Sequence, residues 1–296
     1  MAVSTLVMSP AASPARRSRG YWASVGHRFL RDPVAVGAAI VVLLLLGLAL
    51  FGPWLAPADP YQASMLQRLK PIGAPGLPLG SDELGRDMLS RLVVGARLSL
   101  FMGITPVLCA FLFGASIGIV AGYAGGFVNA AIMRTVDVFY AFPSVLLAIA
   151  LSGTLGAGVF NSLVSLTIVF IPQIARVAES VTTQVRGRDY VEAARASGAG
   201  AFTIVRVHVL GNVLGPIFVY ATSLIAVSMI LASGLSFLGL GVKPPEPEWG
   251  LMLNTLRQAI YVNPILAALP GVMIFITSIC FNLMSDGLRA AMDVKA

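Results

Sequence analysis

Charged residues are scarce in this chain of 296 residues. Asp, Glu, Lys and Arg together make up 11% of it, whereas 57% is hydrophobic and the mean hydropathy is +0.86. A water-soluble globular protein is about 25% charged and about 45–50% apolar. The composition therefore excludes a soluble globular fold and indicates that most of the chain folds in lipid.

Residue types that carry catalytic chemistry are equally sparse. The two histidines, His27 and His208, belong to no HExxH pattern, so the ligands of a zinc protease are missing. None of the three lysines, Lys70, Lys243 and Lys295, stands in the GK[ST] sequence of a phosphate-binding loop. We therefore expect no enzyme, and uphill transport by this chain would need energy from another subunit.

Six apolar runs are long enough to cross a membrane. A helix needs about 20 apolar residues to span the ~30 Å hydrocarbon core. The runs are residues 34–51, 98–122, 136–155, 157–175, 213–240 and 264–285. The sequence therefore predicts an all-α integral membrane fold with six transmembrane helices.

The first run has a rival interpretation as a secretory signal. Arginine-rich residues 16–31 precede it, and Ala-Pro-Ala follows at 56–58. A signal core has only about 7–15 residues, fewer than the apolar stretch found here. Because Trp54 and prolines also crowd the supposed cleavage site, we expect an uncleaved first span.

The distribution of Lys and Arg predicts that both termini are cytoplasmic. In that orientation thirteen of the 20 basic residues lie inside, as the positive-inside rule requires. The seven outside are Arg68, Lys70, Arg86, Arg91, Arg97, Lys243 and Arg257. This bias, together with contact to anionic lipid head groups, accounts for the net charge of +7 without nucleic acid.

This topology divides the chain into a membrane domain and two short tails. The predicted segments are a cytoplasmic tail 1–33, a transmembrane domain 34–290 and a C-terminal tail 291–296, with extracytoplasmic loops 52–97 and 241–263 and a cytoplasmic loop 176–212. The interiors of the spans carry no ionisable side chains, which usually mark ion and proton pathways. An ion-coupled secondary transporter is therefore the less favoured alternative class, although carbonyls and hydroxyls alone can hold Na⁺.

A charged, alanine-rich stretch separates the fourth and fifth runs. It reads YVEAARASG over residues 190–198. Asp189 and Glu192 have the spacing of a capping box, and Gly198 is typical of a left-handed helix stop. A helix of about two turns is marginal alone and is ordered by docking against something. Tyr190, Val191, Ala194 and Ser197 share one face of this helix, and the small side chains of Ala193 and Ala194 would permit the close approach of a docking partner.

This stretch resembles the signature of a known family. Glu192-Ala193-Ala194, followed after three residues by Gly198 and later by Val209-Leu210-Gly211, is similar to the EAA loop of the membrane-spanning subunits of ATP-binding-cassette importers. Gly211 stands where the family has proline, which removes a fixed backbone kink. Other segments resemble the C-type permease of the dipeptide, oligopeptide and nickel group, namely residues 79–87, 90–91, 95–97, 235–241 and 244–250.

The resemblance implies a type I importer fold in a bacterial cytoplasmic membrane. It also implies four kinds of partner: a homologous second permease, two ATPase domains that bind ATP and Mg, an extracytoplasmic substrate-binding protein and membrane lipid. The chain itself would hold no cofactor, and the cargo would be di- or oligopeptides, with nickel, a metal chelate or haem as alternatives. The residues that the resemblance assigns to ATPase coupling are Tyr190, Val191, Glu192, Ala193, Ala194, Arg195, Ser197 and Gly198.

A partly polar stripe on the fifth span has two interpretations. Stripes of small and polar residues at helical spacing are most often helix-packing faces. The alternative is that this stripe lines the translocation path. Its members are Thr222, Ala226, Met229, Ser233 and Ser236.

Two features of the outer loops also allow an expectation. Arg86 and Asp87 are candidates for contact with the binding protein, and the alternative is a local ion pair that orders the loop. Trp249 is expected to be an interfacial anchor. Cys109 and Cys280 both fall within spans and are expected to be small packing residues rather than disulfide partners.

Overall fold

The computed structural model describes residues 21–292, so most of the two predicted tails, residues 1–20 and 293–296, lies outside the described range. Its regular elements there are helices. The α-helices are α1 Tyr21–Phe29, α2 Pro33–Leu55, α3 Met88–Ala124, α4 Gly126–Tyr140, α5 Ser144–Leu155, α6 Val159–Arg186, α7 Asp189–Ala196, α8 Ala201–Ile204, α9 Leu210–Phe237, α10 Trp249–Thr255 and α11 Pro264–Met292.

Five of these helical segments are long and apolar enough to cross a membrane. They are α2, α3, α6, the continuous segment Ala201–Phe237 and α11. The remaining predicted span, residues 136–155, which is the third in chain order, is not one straight helix: α4 and α5 meet at a bend of 86°. Pro143 stands at this break and disfavours helical backbone at Phe142, which explains why the helix stops there.

The helix α3 is much longer than the lipid requires. Its 37 residues extend about 55 Å at 1.5 Å per residue, against a hydrocarbon core of ~30 Å. Its first turns therefore project beyond the lipid on the side predicted to be outside. Arg91 and Arg97 therefore lie in a helix rather than in a loop, because α3 begins at Met88, nine residues before the predicted end of the outer loop 52–97.

A seam of glycines joins α3 to α6. Gly114, Gly118 and Gly122 recur every fourth residue, and the α6 backbone lies directly against them. A Cβ atom at these positions would lie 2.8, 2.3 and 2.7 Å from the carbonyl oxygens of Ile171, Ala175 and Glu179. Small residues at this spacing allow membrane helices to approach closely, so α3 and α6 pack backbone to backbone.

The chain enters α9 through a π-helical turn, Val205–Val209. The Leu210 N–H donates to the Val205 carbonyl, one residue further back than in an α-helix. Gly211, which replaces the proline of the family's motif, follows directly. The π turn therefore makes the backbone irregular close to the position where proline would have fixed a kink.

Candidate functional site

The short helix α7 lies between α6 and α9 on the side predicted to be cytoplasmic. Its N-cap is Arg188, whose carbonyl accepts hydrogen bonds from the N–H groups of Val191 (2.9 Å) and Glu192 (3.2 Å). Asp189 lies inside the first turn, so the predicted capping box of Asp189 and Glu192 is wrong by one position. Both carboxylates instead stand at the positive end of the helix dipole.

The C-terminal end of α7 has the structure that the sequence predicts. Gly198 adopts the left-handed region with φ +84°, which costs a glycine nothing. The Ala199 N–H donates to the Ala194 carbonyl (3.1 Å), and the Gly198 N–H donates to the Arg195 carbonyl (3.0 Å). These two bonds form a Schellman motif, and the predicted stop at Gly198 is confirmed.

The structure places the four residues that the sequence assigns to one face of α7 in different surroundings. Val191 is fully buried and Ala194 is half-buried against the chain's own core. Tyr190 is 44% exposed with its ring centroid 6.3 Å from that of His208, and the Ser197 hydroxyl bonds back to the Ala193 carbonyl. The side chains left in water define the exposed face of α7: Glu192, Ala193, Arg195 and Ala196.

A buried ionic cluster fixes the outer end of α3. The Arg86 Nε atom lies 2.6 Å from Asp82 Oδ2, and a terminal Arg86 nitrogen lies 3.0 Å from Glu83 Oε1. The Arg91 Nε atom lies 3.2 Å from the same Asp82 oxygen. Asp82, Arg86 and Arg91 are all buried, so each charge depends on the others for compensation.

This cluster bears on the two interpretations of Arg86 and Asp87. Both side chains are only 4% exposed, which leaves them little surface for a binding protein. They do not pair with each other either. Arg86 pairs with Asp82, while Asp87 caps α3 by accepting from the Ser90 N–H (2.8 Å) and hydroxyl (2.5 Å). The geometry therefore favours loop ordering over contact with a partner.

The expectation that Trp249 is an interfacial anchor is wrong. Its side chain is fully buried, and its indole N–H donates to the Leu92 carbonyl of α3 (3.0 Å). Its backbone N–H donates to the Ser99 hydroxyl (3.0 Å). Trp249 therefore attaches the last outer loop to α3, where an indole finds both apolar packing and a partner for its N–H.

The neighbouring Glu248 caps α10 from a buried position. Its carboxylate accepts from the N–H groups of Gly250 and Leu251 (both 2.8 Å) and from the Ser99 hydroxyl (3.1 Å). Burial raises the pKa of Glu248 above the usual 4.5, while the backbone bonds and the hydroxyls of Ser236 and Ser99 act in the opposite direction. Desolvation of the carboxylate is the larger effect.

We expect Glu248→Gln to flatten the pH dependence of stability. Because the folded pKa is raised, the folded state binds a proton more tightly than the unfolded state, and stability falls as pH rises from 4.5 through the folded value. The measurement is the thermal unfolding midpoint in detergent between about pH 4.5 and 7. Glu246→Gln, at an exposed position of the same loop, is the matched control. Parallel profiles for the wild type and Glu248→Gln would contradict this prediction.

The stripe on α9 is buried within the chain. Thr222, Ala226, Met229, Ser233 and Ser236 are each less than 9% exposed. The Thr222 hydroxyl lies 2.9 Å from that of Ser285 on α11, and the Ser236 hydroxyl accepts from the Val242 N–H (3.3 Å). Met229 packs against Gly103 of α3. These contacts favour the packing interpretation over a lining of the translocation path.

The structure is an apolar helical bundle, and the short helix α7 lies on its cytoplasmic side. This is the architecture of a type I importer permease, the membrane subunit that carries no catalytic centre. Residues 114–295 match the family described as binding-protein-dependent transport system inner membrane component. Residues 20–71 match the N-terminal TM domain of oligopeptide transport permease C. The chain belongs to the binding-protein-dependent transport system inner membrane component family.

Individual relatives are similar over nearly the whole chain. The glutathione transport system permease protein GsiD of Pectobacterium atrosepticum is 42% identical over 274 residues, which cover 93% of this chain and 91% of the relative. The di/tripeptide transport system permease protein DppC of Pseudomonas aeruginosa is 40% identical over 280 residues, with the same coverage of 93% and 91%.

Solved structures show the same fold. An inward-facing MetNI methionine ABC transporter has a chain that is 21% identical, with a TM-score of 0.57, covering 69% of this chain and 97% of that one. The protein is thus a multi-pass permease subunit in the bacterial inner membrane, and ATP hydrolysis belongs to partner subunits.

Proposed function

We propose that this chain is the permease subunit of an ATP-driven importer of di- and oligopeptides. The observation that carries this proposal is the likeness, over 93% of the chain, to permeases of systems named for glutathione and for di- and tripeptides. The substrate would be selected mainly by a separate binding protein, as the name of the family suggests. The permease then needs a path for small peptides rather than a tight binding site.

The complete transporter would contain this chain, a homologous second permease, two ATPase domains and an extracytoplasmic substrate-binding protein. The scarcity of ionisable groups in the spans supports an energy source outside this chain. Many large apolar side chains also remain exposed on the single chain, among them Leu44, Phe113 and Phe275. Lipid and a second membrane subunit would cover this surface.

The exposed face of α7 would seat in a groove of an ATPase domain. Ala193 and Ala196 give this face a small-residue surface, flanked by the charged Glu192 and Arg195. On the opposite side, the buried Val191 fixes α7 to the membrane helices. A displacement of the ATPase groove would therefore move α7 together with the ends of α6 and α9.

Transport by the reconstituted complex tests the proposed function. The four kinds of subunit are assembled in proteoliposomes, and uptake of a labelled dipeptide is compared with uptake of Ni²⁺ and of haem. We expect dipeptide uptake that needs ATP, the ATPase and the binding protein. ATP-driven uptake of Ni²⁺ or haem without dipeptide uptake would show that the substrate is not a peptide.

A second experiment uses the permease without its partner subunits. In proteoliposomes with a proton or Na⁺ gradient, the isolated chain is expected to concentrate no peptide, because it has neither a phosphate-binding loop nor ionisable groups within its spans. Gradient-driven uptake by this chain alone would identify a secondary transporter instead.

A further inference from the structure

An open cavity of about 870 Å³ lies between the outer ends of α2 and α3. Its volume falls in the range of small-molecule binding sites. The exposed face of α7 lies at the opposite end of the molecule, so this cavity has no part in the proposed ATPase docking. The residues that line it are Pro53 of α2, residues 56–61, Val94, Arg97, Leu98 and Phe101 of α3, and Glu246 and Pro247 of the last outer loop.

The lining changes character with depth. With both termini inside, α3 runs from the outer surface into the lipid, so a higher residue number on α3 lies deeper. The apolar Leu98 and Phe101 lie deepest, and Arg97 stands about 6 Å nearer the surface than Phe101 at 1.5 Å per residue. The two loops that carry Asp59 and Glu246 form the outer rim, because the neighbouring Pro60 and Pro245 carbonyls accept from the side chain of Arg91, about 9 Å outward of Arg97 on α3. The charged side chains are therefore ordered with the cationic Arg97 inside and the two carboxylates outside, and the apolar Val94 lines the wall about 4.5 Å outward of Arg97.

The charged groups of the cavity are available to a ligand. Arg97 is exposed and takes part in none of the ion pairs found within residues 21–292. Asp59 and Glu246 are also exposed, and Tyr61 joins them: its hydroxyl donates to Glu246 Oε2 (2.9 Å), and its backbone N–H donates to Asp59 Oδ1 (2.8 Å). Each carboxylate keeps a second oxygen for another donor.

The cavity also lies at the level of the lipid head groups. Phe51 and Trp54, at the outer end of α2, are 52% and 79% exposed with ring centroids 6.0 Å apart. Exposed aromatic rings at the end of an apolar helix are typical of the membrane interface. Phe101 is 48% exposed, so the bottom of the cavity opens towards acyl chains.

We propose that this cavity binds one phospholipid of the outer leaflet that carries an ethanolamine head group. The acyl chains lie against Leu98 and Phe101, the phosphate binds Arg97, and the ammonium group reaches Asp59 and Glu246 at the rim. This order of groups in the lipid matches the order of the lining residues. A phosphatidylglycerol head group places no cation at the acidic rim, so the two carboxylates select against it. The inference goes beyond peptide transport and depends only on the membrane orientation.

Lipid retention by the purified transporter tests the proposal. The complete complex is equilibrated in detergent with equal phosphatidylethanolamine and phosphatidylglycerol, and bound lipid is counted by native mass spectrometry. We expect the wild type to retain phosphatidylethanolamine preferentially. Arg97→Gln should lower its retention about tenfold, since loss of a charge-assisted contact worth about 1.4 kcal/mol has this effect. Arg97→Lys, which keeps the charge, should restore most of it.

The control variant is Arg257→Gln, an exposed arginine of the outer surface that does not line the cavity. It should retain lipid as the wild type does. Glu246→Gln should narrow the preference for phosphatidylethanolamine over phosphatidylglycerol. The proposal is overturned if Arg97→Gln and Arg257→Gln retain equal lipid, or if the wild type shows no preference.

A free dipeptide carries the same pair of charges as the ethanolamine head group and is the other source of such a ligand. Dialanine added at millimolar concentration is expected to leave the bound lipid in place, because a dipeptide has no acyl chain for Leu98 and Phe101. Displacement of the lipid by dialanine would assign the cavity to peptide and overturn the lipid assignment.

Discussion

Replacing Ala193 by glutamate is expected to release the ATPase from the membrane subunit while the chain itself stays folded. Ala193 is exposed on α7, so the free permease accommodates the larger side chain in water. In a protein groove the new carboxylate would be buried without a partner, at a cost of several kcal/mol. Since 1.4 kcal/mol corresponds to a factor of ten, affinity for the ATPase should fall at least tenfold.

Two quantities measured on the complete complex check this result: the amount of ATPase that copurifies, and ATP hydrolysis stimulated by the loaded binding protein. Ala63→Glu is the matched control, because Ala63 is an exposed alanine of the outer loop. Ala194→Glu is a less informative variant, since Ala194 is half-buried against its own chain and the substitution would disturb the permease directly. Wild-type behaviour of Ala193→Glu would mean that α7 is not the docking element.

Gly118→Leu should destabilise the permease more than any change on its lipid-facing surface. A Cβ at this position would lie 2.3 Å from the Ala175 carbonyl oxygen and 2.6 Å from the Ala178 Cβ. Neither atom can rotate away, because the first belongs to the backbone and the second is attached directly to it. Overpacking of a core costs typically about 1–3 kcal/mol and occasionally more. We expect α3 and α6 to separate and the yield of folded protein to fall severely.

The thermal unfolding midpoint in detergent measures this effect. Gly118→Ala gives a milder variant that should still be purified, with a midpoint clearly below that of the wild type. Gly234→Ala is the control, since nothing lies within 4 Å of a Cβ at Gly234 on α9. Both substitutions raise helix propensity equally, so equal midpoints for the two would show that the glycine seam is not needed for close packing.

The parts of the fold that depend on local chemistry were predictable from the sequence. Long apolar runs must become helices in lipid, because each backbone N–H and C=O then finds a partner within the same segment. The stop at Gly198 is local for the same reason, since only glycine adopts its backbone conformation without strain. The glycine seam was also readable, because Gly114, Gly118 and Gly122 have the spacing of a close-packing motif, but it was not recognised.

The features that were missed depend on contacts between distant parts of the chain. The burial of Val191 and the exposure of Ala193 depend on what the rest of the chain places beside α7, which helical periodicity does not specify. For Arg86 the sequence left open a contact with the binding protein or a local ion pair, and only the fold shows that Asp82 and Glu83 pair with it in the protein interior. Trp249 was assigned to the interface because tryptophan is common there, whereas α3 provides a buried acceptor at Leu92.

The contacts between α3 and the last outer loop have a consequence for how the protein is made. Residues near the start of α3 find their partners about 150 positions later: Ser99 bonds to Glu248, and the Leu92 carbonyl accepts from Trp249. A ribosome adds about 5–20 residues per second, so α3 is inserted roughly 10–30 s before these partners emerge. During that interval the outer turns of α3 lack their contacts with Glu248 and Trp249. These contacts form only after the last outer loop has crossed the membrane.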